Sequence, residues 1–123
     1  MPASYRVFYV TTHTMQPDKL AEAMAWYEQG MGLWPRLPGV KSVQGFAMQF
    51  GLGPADMGVE IWMEIEDYAV LDSWDRIDGP IRQEWLDLMA VQRACVTPGP
   101  ARLMGDLAGS VPQELGGELS PKG

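Results

Sequence analysis

Apolar patterns in the order strand, helix, strand, strand, helix, strand predict an α+β domain: ferredoxin-like βαββαβ, with a four-stranded antiparallel sheet. Two observations carry this. The stretch Gly58 to Asp67, GVEIWMEIED, alternates with period two, placing Val59, Ile61, Met63 and Ile65 on one face and Glu60, Trp62 and Glu64 on the other. Each strand–helix–strand crossover, if right-handed, returns its strand to the same sheet and puts both helices on one side.

The first strand is residues 5 to 13, YRVFYVTTH, rich in β-branched and aromatic types. Its two faces are both apolar, with Tyr5, Val7 and Tyr9 against Phe8 and Val10, as expected of a strand covered on both sides. Thr14 to Asp18 reads as a helix entry, with Pro17 suited to a first turn and Asp18 to the positive helix end. Leu20, Met24, Tyr27 and Met31 follow at helical spacing, with Ala23 and Trp34 near the same face. Gly30 and Gly32 weaken this helix, and Pro35 and Pro38 end it.

The second strand runs from Val40 to about Phe50, with Phe46, Met48 and Phe50 sharing a face. Gly51 to Gly58 reads as a hairpin loop; its GxG piece lacks the helix, Lys and Ser/Thr of a phosphate loop. The second helical segment is in two parts. Leu71, Trp74 and Ile77 form one stripe, Asp78-Gly79-Pro80 interrupts, and Ile81, Trp85, Leu88 and Gln92 continue to about Cys95. Thr97 to Pro100 reads as a turn and residues 101 to 107 as the last strand, closing a single domain over 1–107. Residues 108–123, rich in Gly, Pro, Ser and Glu, read as a mobile tail.

Composition narrows the function classes. With 46% hydrophobic and 20% charged residues, the 123-residue chain has the make-up of a globular domain. A net charge of -7 would repel a phosphate backbone, so no nucleic-acid partner is expected. No eighteen-residue apolar run exists for a membrane span. The N-terminus has no secretory-signal pattern, and the single cysteine, Cys95, suits a reducing cytoplasm. One His and one Cys do not make a tetrahedral zinc site, and no nucleotide fingerprint is present, so neither metal nor cofactor is expected. Nine Met and five Trp suit an adaptable apolar pocket or a subunit interface.

The Glu60, Trp62, Glu64 face would be left uncovered in a monomer. Two such sheets packed face to face cover it and enclose a space, so a homodimer is expected on physical grounds. Glu60 and Glu64 lie roughly 13 Å apart along the strand, too far for a paired-carboxylate site. Each is a candidate single base, its pKa raised by an apolar lumen; the plainer reading is an ion pair with Lys41, Arg6 or Arg102. His13, the one histidine, is a candidate base or ligand, or else a solvated turn residue. Cys95 reads as a buried structural thiol, and Asp72, Asp75 and Asp78 as a solvated helix face. Tyr9 and Phe46 are core or, if they reach the lumen, stacking groups for a flat aromatic ligand.

The LPGV turn at Leu37 to Val40, the GPADMG hairpin, the MEIEDYAVLDSW run at Met63 to Trp74 and the broken second helix resemble the dimeric α+β barrel superfamily. That superfamily includes the antibiotic-biosynthesis monooxygenase-like, NIPSNAP-like and EthD-like proteins, and the resemblance covers about residues 5 to 107. It implies a homodimer whose barrel lumen takes a hydrophobic small molecule. Members include cofactor-free oxygenases of polyphenolic polyketides, cyclases, isomerases, haem-degrading enzymes and proteins without known catalysis. The implied function is a cofactor-independent monooxygenase, cyclase or isomerase; the alternative is a non-catalytic binder, of haem for example, or an interaction protein. Glu60 or Glu64 would be the base, Trp62 a stacking wall, and His13 or Arg6 a polarising group. In the monooxygenase-like members a tryptophan commonly precedes an acidic pair that opens the second helix. Here Met63 takes that position and Trp62 comes one residue early, which on a strand means the opposite face unless a bulge intervenes.

Overall fold

The structure is a computed structural model that describes residues 5–47 and 57–107. Its strands are β1 (Val7–Met15), β2 (Val40–Ala47), β3 (Met57–Ile65) and β4 (Val96–Gly105). They form one sheet in the order β2-β3-β1-β4, and every neighbouring pair is antiparallel. The helices are α1 (Leu20–Leu33), the short α2 (Val70–Trp74) and α3 (Pro80–Cys95). This is the expected α+β, ferredoxin-like arrangement.

β3 has the predicted faces. Ile61, Met63 and Ile65 are buried under the helices, where they join Ala23, Trp26 and Leu33 of α1 and Leu88 and Cys95 of α3. Ridge-forming side chains of α1 and α3 meet each other over the sheet. Ala23, Trp26, Gly30 and Leu33 are the buried positions of α1. Met24, assigned to the apolar face by spacing, is instead 45% exposed, because the helix is rotated so that Trp26 points inward. Gly30 has a packing reason for being in this helix. A Cβ there would fall inside the Trp34 indole, whose ring stacks edge-on against Trp26 at 5.5 Å. The helix gives up about 0.5–1 kcal/mol of propensity relative to alanine to admit that ring.

Two boundaries differ from expectation. β1 continues through Met15, and a 3-10 turn at Pro17–Lys19 leads into α1. The TPGP segment is not a turn but the start of β4, which begins directly after α3. β4 is an edge strand, where Pro98 and Pro100 disturb the ladder least. Thr11 pairs with Ala101 and His13 with Pro98, so Gly99 and Pro100 together oppose Thr12 alone. That β-bulge sits beside His13 and increases the local twist. The interruption at Asp78-Gly79-Pro80 is present, with Gly79 at φ +74, a backbone state that glycine adopts freely. Met48, Phe50, most of the expected hairpin loop and the expected tail lie outside the described residues.

Candidate functional site

The strand pleat divides the predicted site residues between two faces. Pairing β1 residues with β3 residues gives Phe8↔Glu64, Val10↔Trp62 and Thr12↔Glu60 on the open face, and Tyr9↔Met63, Thr11↔Ile61 and His13↔Val59 on the helix face. Glu60, Glu64, Trp62, Arg6 and Phe46 therefore gather on the open face. His13 and Tyr9 are on the other side of the sheet, so His13 cannot polarise a group held against Trp62.

On the open face, Trp62 is the centre. Phe8 and Phe46 meet its ring edge-on at 5.4 and 6.0 Å, and Val10 beneath is fully buried. Trp62 Nε1 donates to Glu60 Oε1 at 3.0 Å, and Arg102 donates to Glu60 Oε2 at 3.0 Å. These donors hold the Glu60 carboxyl below its ordinary pKa, the Trp62 hydrogen bond being the largest cause. A base in an apolar lumen needs the reverse. Lys41 lies 3.4 Å from Glu64, and Ser42 donates to the same carboxylate at 3.4 Å. The ion-pair reading of both glutamates thus fits their geometry. Arg6 grips Asp106 with two guanidinium hydrogen bonds of 3.0 and 2.8 Å and its backbone N–H adds a third at 2.8 Å, holding Asp106 down to about pKa 2. A depression of about 360 Å³ lies between these groups, reaching from Arg6 and Phe8 to Gln44 and Phe46.

On the helix face a smaller cavity of about 130 Å³ opens between the sheet and the α2–α3 segment. Its walls are Trp34, Trp74, Trp85, Met63 and Met89, and its polar groups come from Tyr9, Thr11, His13 and Gln92. Tyr9 meets Trp74 edge-on at 5.6 Å, and Trp74 lies 6.2 Å from Trp85. Trp74 Nε1 donates to the Pro38 carbonyl at 2.9 Å, which fixes that wall. His13 is 6% exposed, its Nε2 is hydrogen-bonded to Thr11 Oγ1 at 2.9 Å, and its Nδ1 is buried with no partner. Its ring lies 4.9 Å from that of Trp26, whose Nε1 is likewise buried without a partner. Burial lowers the His13 pKa from 6.5 to about 4, so the imidazole is neutral at pH 7. The solvated-turn reading of His13 is therefore incorrect: β1 runs on past it and carries it under α1. Of its two ring nitrogens, Nε2 is engaged by Thr11 and Nδ1 is left unpartnered.

The β1–β3 register runs without a shift from Val7/Ile65 to Met15/Met57, so no bulge brings Trp62 round. Met63, not Trp62, faces the helix-side cavity. Thr11 and Met89 were not singled out from the sequence, and Trp74, Trp85 and Gln92, placed on the helical stripes by spacing, were not assigned to a site. One signal was available: continuing the alternation Tyr5, Val7, Tyr9 places Thr11 and His13 on the same face. Cys95 is buried, donates its thiol to the Val91 carbonyl at 3.2 Å, and has its pKa raised chiefly by burial. Among the described residues, no three His, Cys, Asp or Glu side chains group as a metal site, and no helix is long and apolar enough to cross a membrane.

No family model matches the chain, and no curated protein matches it by sequence. Solved structures do match by shape. The cofactor-independent oxygenase SnoaB from Streptomyces nogalater is 18% identical, with TM-score 0.56 over 91% of this chain and 98% of that one. HapK from Hahella chejuensis is 14% identical, with TM-score 0.61 over 88% and 99%. A protein of the ethyl tert-butyl ether degradation (EthD) family from Bacillus halodurans is 16% identical, with TM-score 0.59 over 80% and 96%.

Proposed function

We propose, from the premise that this chain has the fold of the dimeric α+β barrel superfamily, that it is a small-molecule enzyme of the cofactor-independent monooxygenase, cyclase or isomerase type. Its substrate would be hydrophobic and aromatic, bound in the cavity between sheet and helices. The observation that carries this reading is His13: a neutral imidazole, nine-tenths buried, at the edge of a cavity walled by three tryptophans. A cavity of about 130 Å³ accommodates one ring, since an engineered cavity of about 150 Å³ holds benzene.

In this reading Trp74, Trp85 and Tyr9 stack on the substrate, and His13 with Thr11 polarises a substrate oxygen. Polarisation acidifies a neighbouring phenol or C–H, whose proton would pass to water at the cavity mouth, the step shared by oxygenation, cyclisation and isomerisation. Glu60, already committed to Trp62 and Arg102, is not carried forward as the base.

The open face then belongs to assembly. Phe46 is 45% exposed beside Trp62 and Phe8, and the nearby charges are already paired within the chain. We propose that a second copy covers it, forming the homodimer; sedimentation of a Phe46→Glu variant as a monomer, against a wild-type dimer, is the expected result.

An oxygen-uptake and absorbance screen over hydroxylated aryl ketones tests the activity. Wild type is expected to turn over at least one, His13→Phe to lose about 100-fold or more, and Glu60→Gln to keep most of its rate. The reverse pattern would move the chemistry to the open face. Binding without turnover across the panel would favour a carrier.

A further inference from the structure

Of the polar groups around the helix-side cavity, one pair has its hydrogen-bond direction fixed by its surroundings. The Tyr9 hydroxyl and the Gln92 amide each donate and accept, so they favour no ligand polarity. Thr11 and His13 differ. A neutral imidazole carries one proton, on Nδ1 or on Nε2. On Nδ1 it would be a buried N–H without an acceptor, since that nitrogen has no partner and the adjacent Trp26 Nε1 is itself an unpartnered donor. Orphaned buried N–H groups are the rarer and costlier kind. On Nε2 the proton is donated to Thr11 Oγ1 at 2.9 Å, leaving Nδ1 as a bare acceptor. The low His13 pKa keeps the ring from gaining a second proton at neutral pH, so this direction does not alternate. Thr11 Oγ1 then spends a lone pair on His13 and keeps its own O–H for the cavity.

We propose that Thr11 makes this cavity a reader of hydrogen-bond acceptors, so that it takes an aryl carbonyl compound through the carbonyl oxygen and Thr11 is the residue that determines this specificity. The inference rests on the reading of the cavity as the small-molecule site. His13 is a positioning residue here: it fixes the Thr11 hydroxyl as a donor.

The test uses two probes of nearly equal shape, acetophenone and α-methylstyrene, in which C=O is replaced by C=CH₂, titrated calorimetrically into wild type, Thr11→Val and Thr11→Ser. Thr11→Val is expected to weaken acetophenone about 10-fold without weakening α-methylstyrene, and Thr11→Ser to retain the wild-type ratio. A ratio of the two affinities unchanged by Thr11→Val overturns the acceptor reading and leaves the cavity a binding site. Failure of both probes to bind wild type overturns the cavity reading and this inference with it. A second measurement needs neither ligand nor variant: long-range ¹H–¹⁵N spectra of His13 in wild type should show Nδ1 unprotonated, and a proton on Nδ1 would overturn the proposal.

Discussion

The two faces of one sheet handle charges and ring nitrogens in opposite ways, while Thr12 Oγ1 on the open face is itself buried without a partner. On the open face every glutamate has a cation at hand: Arg102 at 3.0 Å from Glu60, Lys41 at 3.4 Å from Glu64. On the helix face His13 Nδ1 and Trp26 Nε1 are buried with nothing to bond. Of these paired carboxylates, Glu60 is held below its ordinary pKa by the Trp62 and Arg102 donors, which favour its charged form. Unpaired groups in a desolvated cavity are costly, and native proteins keep few of them. The difference teaches that a helix laid over a strand strips ring nitrogens of partners that the open face supplies to its carboxylates.

Replacing the central indole of each face is the strongest way to break the comparison. Trp26→Ala should cost about 3–5 kcal/mol, since its ring is fully buried in the core. Trp62→Ala, on the half-covered face, should cost clearly less in the monomer. Urea unfolding of the two variants reads the difference, and equal losses would mean that the open face is core.

Acid should separate the faces next. His13 has a folded pKa of about 4, below its unfolded value of 6.5, so its contribution is fully present above 6.5 and is lost as pH falls toward 4. At 1.36 kcal/mol per pH unit the loss is about 3 kcal/mol. Chemical denaturation of wild type against His13→Phe across this window isolates it, because the carboxylates titrate alike in both. Parallel curves would remove the desolvated imidazole from the account. Glu60, also depressed, loses its share at lower pH, as pH falls through its folded value.

A matched pair of glycines in α1 probes how tightly the helix face is packed. Gly30→Ala meets the Trp34 ring and should destabilise by about 2 kcal/mol despite the gain in propensity, as overpacking does. Gly32→Ala meets nothing within 4 Å and should stabilise by about 0.5–1 kcal/mol. Thermal melts of the two should shift in opposite directions.

The smallest effect belongs to the open face. Lys41→Ala should change stability by less than about 1 kcal/mol, as an exposed ion pair does, and the effect should shrink in high salt. A larger, salt-insensitive loss would give the pair a buried role.

Much of this molecule was legible in the chain. Period-two alternation in GVEIWMEIED assigned both faces of β3 correctly, because the pleat allows only one division once the strand is granted. The broken second helix was legible because Asp78-Gly79-Pro80 leaves little choice of backbone. The rotation of α1 was not: Met24 and Trp26 are both apolar, and only the position of Trp34 over Gly30 selects which points inward. The TPGP segment misled because local turn chemistry was overridden by pairing with β1, the strain being taken up in an edge bulge.

The sequence by itself determined the order of elements and the sheet faces, both consequences of local periodicity. It offered Lys41, Arg6 and Arg102 as cations for the two glutamates, and the strand register gave Arg102 to Glu60, Lys41 to Glu64 and Arg6 to Asp106. Only the tertiary structure decided that His13 is buried and neutral and that Trp62 faces away from the helix-side cavity. It also brought Thr11, Trp74 and Trp85 around one space, although they lie on separate elements. Desolvation is a property of what surrounds a group in three dimensions, and no spacing along one strand encodes which helix will cover it.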